Sequence, residues 1–249
     1  MSTIPLVDSR ESSGASALHR SLFMDKPLSV ATVIVTLIAS GLWVDARFGW
    51  PGQIATIVAT VLVFGWLYRR STVVERRVLI LCAVIAGIGE VALSLIWGLY
   101  DYQFHNVPLF VPPGHALLMT LGLITARHIP ERLVRTWVGV VVSAAILWGG
   151  FAWATDLDRF GVVLCGVFLL CAAFGRARAL YATMFVLALT MELYGTALGN
   201  WRWMDTAPGL GLTQSNPPYS AGAFYAVLDL LVLNALRWWA PAPGPKLSA

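Results

Sequence analysis

Two glutamates stand inside long apolar stretches of this sequence. Glu90 lies in IAGIGEVALSLIW and Glu192 lies in VLALTMELYGTAL. A carboxyl group in apolar surroundings keeps its proton near neutral pH, because the loss of water disfavours the charged form. Such an acid can protonate an alkene or an epoxide, and a second carboxylate can take a proton back. The two residues therefore predict acid and base chemistry on a hydrophobic substrate.

Two aromatic residues, separated by one other residue, follow each glutamate: Tyr100 and Tyr102, then Trp201 and Trp203. This spacing is typical of an extended segment that carries both rings on one face. Tyrosine and tryptophan faces attract cations, so they can stabilise a carbocation that forms after protonation. We therefore expect all four rings to contribute to the binding of the substrate.

Both stretches belong to an internal repeat. Each copy holds a glutamate, a glycine, the aromatic pair, a polar loop and then two prolines, which are Pro112–Pro113 and Pro217–Pro218. Proline is tolerated in the first turn of a helix, so each proline pair is predicted to open the next helix. The two glutamates are 102 positions apart. We therefore expect the repeat to bring them together in one shared site.

Three further polar residues are candidates for the same site. Asp229 is expected at a depth similar to that of the glutamates and is predicted to support their catalysis, unless it simply pairs with Tyr225 one turn earlier. His115 and Asn216 flank the two proline pairs, and both are predicted to bind the substrate. The alternatives are a hydrogen-bonded interface histidine and a turn-capping asparagine.

The sequence predicts neither a metal nor a cofactor. It holds no nucleotide-binding glycine loop, no HExxH, no nucleophile elbow and no DxxxD pair. The spacing of Glu90, Asp101, His105 and His115 matches no standard set of metal ligands. The three cysteines all fall inside apolar runs, where a thiol packs as a small hydrophobic group; they are Cys82, Cys165 and Cys171.

The composition predicts an all-α, polytopic membrane protein. Of the 249 residues, 58% are hydrophobic and 12% are charged, whereas soluble domains carry about 25% charged residues. A spanning helix needs about 20 mostly apolar residues. Eight runs approach this length: Leu28–Val44, Gln53–Tyr68, Val78–Leu99, Leu109–Ala126, Val134–Trp153, Phe160–Gly175, Ala179–Gly199 and Tyr219–Leu236.

Charge distribution predicts how these spans are oriented. With eight spans and a cytoplasmic N-terminus, 14 of the 17 basic residues fall on the cytoplasmic side, as the positive-inside rule requires. Both termini are then cytoplasmic, and in a bacterium the protein lies in the cytoplasmic (inner) membrane. The predicted units are a disordered tail (1–26), two parallel four-helix repeats (27–128 and 129–238) and a second tail (239–249).

One string also resembles a known family. ELYGTALGNWRW places Gly195 and Gly199 three and seven residues after Glu192 and ahead of two aromatics. It resembles the motif of integral-membrane carotenoid-biosynthesis proteins, which continue into a Gly-x-Tyr-x-Tyr segment. That family includes carotenoid hydratases and is similar in style to membrane lycopene and terpene cyclases that use intramembrane acids. The resemblance implies an enzyme of isoprenoid metabolism.

The leading hypothesis is an enzyme that cyclises, hydrates or isomerises a hydrophobic, isoprenoid-like molecule. Its expected partners are that lipid-like small molecule and membrane lipids, with no nucleic acid, and the oligomeric state is left open. Two alternatives remain at this point. One is a proton-coupled transporter or lipid flippase, in which parallel repeats with buried acids are also common. The other is a non-catalytic subunit of a membrane assembly.

Overall fold

The structure is a computed structural model that describes residues 26–239. The tails predicted at 1–26 and 239–249 therefore lie, apart from residues 26 and 239, outside the described residues. The described range holds one π-helix, Val91–Ile96, and seven α-helices. The α-helices are α1 (Pro27–Arg70), α2 (Val73–Glu90), α3 (Val111–His128), α4 (Glu131–Ala154), α5 (Arg159–Phe174), α6 (Arg178–Leu198) and α7 (Gly222–Trp239).

The helices expose apolar surface that suits a membrane. Four helical segments are long and apolar enough to cross one: α1, α2 with the π-helix, α4 and α6. Large apolar side chains point outwards, among them Leu28, Ile96 and Phe174, which are 78%, 79% and 81% exposed. A soluble monomer rarely shows so much apolar surface. The prediction of a helical protein suited to a membrane is therefore confirmed, while the number of spans stays a prediction.

Helix α1 folds back on itself. Gly49 leaves the helical region, with φ 60° and ψ −140°, a conformation open to glycine because it lacks a Cβ. Thr56 Oγ1 donates a hydrogen bond to the carbonyl of Gly41 at 2.9 Å, although 15 residues of straight helix would separate them by about 22 Å. The helix is therefore a hairpin of two rods, which correspond to the predicted runs Leu28–Val44 and Gln53–Tyr68.

Two short antiparallel sheets connect the helices at one end of the bundle. Strand β1 (Tyr100–Tyr102) pairs with β2 (Trp201–Trp203), and β3 (Thr206–Ala207) pairs with β4 (Leu212–Thr213). In the first sheet all four aromatic rings are buried, whereas the middle residues Asp101 and Arg202 lie opposite each other and are more exposed. The predicted extended segments are confirmed, and their direct pairing is an additional finding.

The π-helix accounts for a difference in spacing between the two stretches. Tyr100 follows Glu90 by ten positions, whereas Trp201 follows Glu192 by nine. A π-helical turn, with hydrogen bonds from residue i to i+5, takes up more residues than an α-helical turn. Because Val91–Ile96 begins directly after Glu90, the additional residue is absorbed between the glutamate and its aromatic pair.

Polar contacts define two opposite ends of the bundle. At the loop end, which holds the α1 turn and the four strands, Asn200 Nδ2 donates to Asp45 Oδ2 at 2.7 Å. At the basic end, Arg76 Nε donates to the carbonyl of Tyr68 at 2.8 Å and Arg77 donates to the carbonyl at the end of α7. The helices thus run between a loop end and a basic end, as the charge pattern of the sequence predicts.

Candidate functional site

A cavity of about 270 Å³ lies between the first sheet and the helices, and both predicted glutamates line it. Its walls come from both rods of α1 and from α2, α3, α6 and α7. Most of the lining is apolar, with a few polar groups that converge on it, as in small-molecule sites generally. Glu90 and Glu192 are only 7% and 6% exposed. The structure therefore brings the two acids together at one cavity.

Glu90 ends helix α2, and its two carboxylate oxygens have different partners. Oε2 accepts hydrogen bonds from the hydroxyls of Tyr100 and Tyr102, both at 2.8 Å. Oε1 lies 3.3 Å from His115 Nε2. Both strand β1 and the head of α3 therefore position this carboxyl group at the cavity wall.

Glu192 in helix α6 has a matching set of partners from the second half of the chain. Oε2 accepts hydrogen bonds from the indole N–H groups of Trp201, at 2.8 Å, and Trp203, at 3.1 Å. Oε1 accepts a hydrogen bond from the hydroxyl of Tyr225 in α7, at 3.2 Å. Each glutamate thus binds both aromatic residues of its own strand and one residue of the helix that follows.

The tyrosines of strand β1 remain protonated across the ordinary pH range. Burial raises the pKa of Tyr100 and Tyr102 well above the usual value, and the charge of the neighbouring Glu90 raises it further. A phenol held in this way donates its proton in a hydrogen bond and does not ionise. The two hydroxyls therefore act as fixed donors to Glu90.

His115 and Tyr225 join the two halves of the site. Their rings are stacked, with centroids 5.0 Å apart and an angle of 3° between the planes. His115 contacts one glutamate and Tyr225 the other. All five predicted ring residues, namely Tyr100, Tyr102, His115, Trp201 and Trp203, line the cavity. Sequence reasoning missed Tyr225 as a site residue, because its partner lies 33 positions away on another helix.

Gly195 gives Trp201 the room that its position requires. A Cβ atom at Gly195 would lie 2.0 Å from Cη2 of the Trp201 ring. Because only glycine avoids this clash, the ring can lie against α6 one turn after Glu192 and reach its carboxylate. The glycine three residues after the glutamate, which the sequence motif contains, therefore has a direct structural reason.

Asn216 lies outside the cavity and contacts the backbone of the first sheet. Its Oδ1 accepts a hydrogen bond from the backbone N–H of Trp203 at 2.9 Å, and the residue is not among those that line the cavity. Its contact with the backbone of β2 is the kind of turn-capping contact that the sequence allows as an alternative. Substrate binding by Asn216 has no support from its position.

Asp229 lies deep in the bundle and away from the cavity lining. It is fully buried, and neither of its carboxyl oxygens has a hydrogen-bond partner among residues 26–239. The alternative of a pair with Tyr225 is wrong, because the hydroxyl of Tyr225 bonds to Glu192 instead. Support of the two glutamates by Asp229 stays a prediction from the sequence.

Replacement of Asp229 tests how much this buried acid lowers the free energy of unfolding. We expect Asp229→Leu to raise the free energy of unfolding by about 1–3 kcal/mol, because it removes a buried polar group without partners. Asp229→Asn is the matched control: it retains a polar group of the same shape and should give no comparable gain. Thermal unfolding of the purified variants in detergent measures both. A less stable Leu variant would indicate a stabilising partner for Asp229.

Comparisons with known proteins found no match for this chain, neither among protein-family models nor among curated proteins or solved structures. The resemblance to carotenoid-biosynthesis proteins therefore rests on the sequence motif. Within residues 26–239, no group of three or more His, Cys, Asp and Glu side chains is arranged to hold a metal ion.

Proposed function

We propose that the protein is a membrane-embedded enzyme that uses protonation to start the cyclisation, hydration or isomerisation of a hydrophobic, isoprenoid-like substrate. One observation carries this proposal: two buried carboxyl groups line a single, mostly apolar cavity. Five aromatic side chains that bond or stack at these acids also line it: Tyr100, Tyr102, Trp201, Trp203 and Tyr225. This combination suits the formation and control of a carbocation.

The chemistry needs only the groups that the cavity contains, together with one water molecule in the case of a hydration. One carboxyl group donates a proton to a carbon of a double bond, so that a C–H bond forms and a carbocation remains. The aromatic rings stabilise this cation while it is attacked by a second double bond or by water. The other carboxylate then removes a proton, which restores neutrality without any change in oxidation state. General acid and base catalysis of this kind contributes about 10²–10⁴-fold to a rate.

Access from the lipid phase fits such a substrate. Two residues of the cavity lining, Ala92 and Leu231, are exposed at the outer surface of the bundle. An apolar molecule dissolved in a bilayer would thus meet the cavity from the side, without passing through water. Oxygen-rich substrates find few partners there, because the lining is mostly apolar.

The membrane arrangement that we propose has eight spans in two parallel four-helix repeats, with both termini cytoplasmic. The α1 hairpin supports it, since it supplies two rods where one long helix would supply one. The antiparallel register of β1 and β2, with Asp101 opposite Arg202, supports a local two-fold relation between the halves. The basic end would then face the cytoplasm, and the site would lie towards the other side of the membrane.

That the substrate is related to carotenoids is also a proposal, and it rests on the motif around Glu192. Its support is the match between that motif and the geometry, since Gly195 makes room for Trp201 and the paired aromatics bond to the glutamate. Long polyenes and their acyclic isoprenoid precursors are therefore the first compounds to assay.

A panel assay tests the proposal. Purified protein in liposomes is incubated with acyclic polyenes, isoprenoid alcohols and isoprenoid epoxides. The products are separated by chromatography, and their masses are measured by mass spectrometry. We expect an isomer of the same mass, or a product heavier by one water, from at least one compound. The same liposomes, loaded with the compounds on one side, measure transport. Flux without any product would favour a transporter and contradict the proposal.

A further inference from the structure

The hydrogen bond of His115 to the backbone determines which of its ring nitrogens carries a proton. His115 Nδ1 lies 2.9 Å from the carbonyl oxygen of Val111. A carbonyl oxygen can only accept a hydrogen bond, so Nδ1 must carry a proton. In a neutral imidazole the other nitrogen, Nε2, is then bare. Nε2 is the atom that faces Glu90.

A proton between His115 and Glu90 would make their contact favourable. A bare Nε2 and an ionised Oε1 would place two lone pairs against each other at 3.3 Å. The contact becomes favourable when Glu90 is protonated and donates to Nε2, or when His115 is an imidazolium beside a carboxylate. In both cases the pair as a whole is neutral and holds one transferable proton. The ionisable groups around it are the phenols of Tyr100, Tyr102 and Tyr225 and the carboxyl group of Glu192.

Glu192 has partners of a different kind. The two indole N–H groups at its Oε2 can donate hydrogen bonds but cannot accept them. The hydroxyl of Tyr225 donates to Oε1. Three donors thus surround this carboxyl group, and among residues 26–239 no histidine contacts it as His115 contacts Glu90. Hydrogen bonds donated to a carboxylate favour its charged form, and here they act against the burial of Glu192, which favours the protonated form.

We infer that Glu90 and His115 form the acid of this site as a neutral pair that shares one proton, and that Glu192 is the base. This assignment of roles rests on the proposed function and deepens it. Both members of the pair line the cavity, so the proton can pass directly to a bound substrate. His115 is thereby a catalytic residue, in addition to the binding role that the sequence predicts for it.

The reaction step balances with these roles. The shared proton forms a C–H bond with the π electrons of the substrate, which leaves an ionised Glu90, a neutral His115 and a carbocation. Glu192 then takes a proton from the carbon beside the cation, and the electrons of that C–H bond form the new double bond. In a hydration, Glu192 takes the proton from the water whose oxygen attacks the cation. Exchange with solvent returns one proton to the pair and removes one from Glu192.

Spectroscopy of the resting protein tests the assignment without a substrate. In protein labelled with ¹⁵N-histidine and held in lipid nanodiscs, nuclear magnetic resonance reports the protons on each ring nitrogen. The His115 signals are identified by their loss in His115→Gln. His128 is the matched control, because its Nδ1 lies 2.8 Å from the carbonyl of Ile124, also four residues earlier. Infrared spectra of Glu90→Gln and Glu192→Gln report which carboxyl group is protonated.

The expected result is a proton on Nδ1 of His115, together with one of two findings. Either His115 is an imidazolium, or a protonated-carboxyl band is present that disappears in Glu90→Gln. The Glu192→Gln variant should remove no such band. The inference is overturned by a bare Nδ1, by a neutral His115 beside an ionised Glu90, or by a band that disappears in Glu192→Gln. The wild-type spectra, assigned with His115→Gln, decide the state of the histidine even if Glu90→Gln or Glu192→Gln does not fold.

The spectroscopic results can be distinguished from the result of the panel assay. If no panel compound is converted but the spectra are as expected, the enzyme proposal fails and the proton-sharing pair stands. If conversion occurs but the protonated carboxyl group is Glu192, the function stands and the assignment of acid and base is reversed. In the first case, the neutral pair would be a proton-binding site in a protein of another function.

Discussion

Glu90→Gln and Glu192→Gln are each expected to lower turnover at least about 100-fold, because proton transfer by a positioned side chain contributes about 10²–10⁴-fold. Glutamine retains the shape of glutamate and an oxygen that accepts the bonds of the aromatic residues, but it cannot exchange a proton. Both variants should therefore insert into membranes and unfold close to the wild-type temperature. Turnover of the converted panel compound, with thermal unfolding alongside, measures the two effects.

Glu131→Gln is the matched control, since Glu131 is exposed at the start of helix α4 and does not line the cavity. It should retain full turnover. Undiminished turnover by either cavity variant, at wild-type protein levels, would contradict an acid and base role for that glutamate. A variant that loses both turnover and stability would instead indicate that the carboxyl group holds the bundle together.

Replacement of both tryptophans by phenylalanine should isolate the hydrogen bonds to Glu192 from the bulk of the rings. Trp201→Phe with Trp203→Phe removes both donors to Oε2 and keeps an aromatic ring at each position. A hydrogen bond to a charged group is worth about 1.5–3 kcal/mol, and about 1.4 kcal/mol corresponds to a factor of ten. We expect turnover to fall roughly 10- to 100-fold for each bond lost.

Trp148→Phe serves as the control, because Trp148 is 54% exposed on helix α4 and does not line the cavity. Single variants should show whether the two losses add; we expect them not to add fully, because both indole groups donate to the same oxygen of Glu192. If the double variant turns over substrate at the wild-type rate, the indole donors have no part in the function of Glu192.

The sequence predicts the principal site residues because their types and spacing carry the signal. Glu90, Glu192 and their aromatic pairs stand out as charges and i, i+2 rings in apolar surroundings, and the structure brings them to one cavity. Pro112 and Pro113 lie in the first turn of α3, as predicted, whereas the prediction for Pro217–Pro218 is wrong, because α7 begins only at Gly222. The basic residues predict which end the helices share. Signals of this kind depend on neighbours along the chain, which the sequence shows directly.

Contacts between distant segments are harder to predict. Nothing in the local pattern pairs Tyr225 with Glu192 or leaves Asp229 without a partner, because these contacts depend on the rotation of α7 against α6. The proton-sharing contact of His115 with Glu90 depends similarly on how α3 packs beside α2. The additional residue that the π-helix accommodates is visible in the sequence, since the spacing between glutamate and first aromatic residue differs by one position between the two stretches.

Incorporation of deuterium tests the central claim most directly. Conversion of the active panel compound is carried out in D₂O with wild-type protein, and the product is analysed by mass spectrometry after its exchangeable positions have been returned to hydrogen. Protonation of a carbon atom predicts one carbon-bound deuterium in each product molecule that arises from one proton-initiated event. For a polyene, which can be protonated only at carbon, a product without carbon-bound deuterium would contradict the claim that a protonated side chain of this cavity begins the reaction.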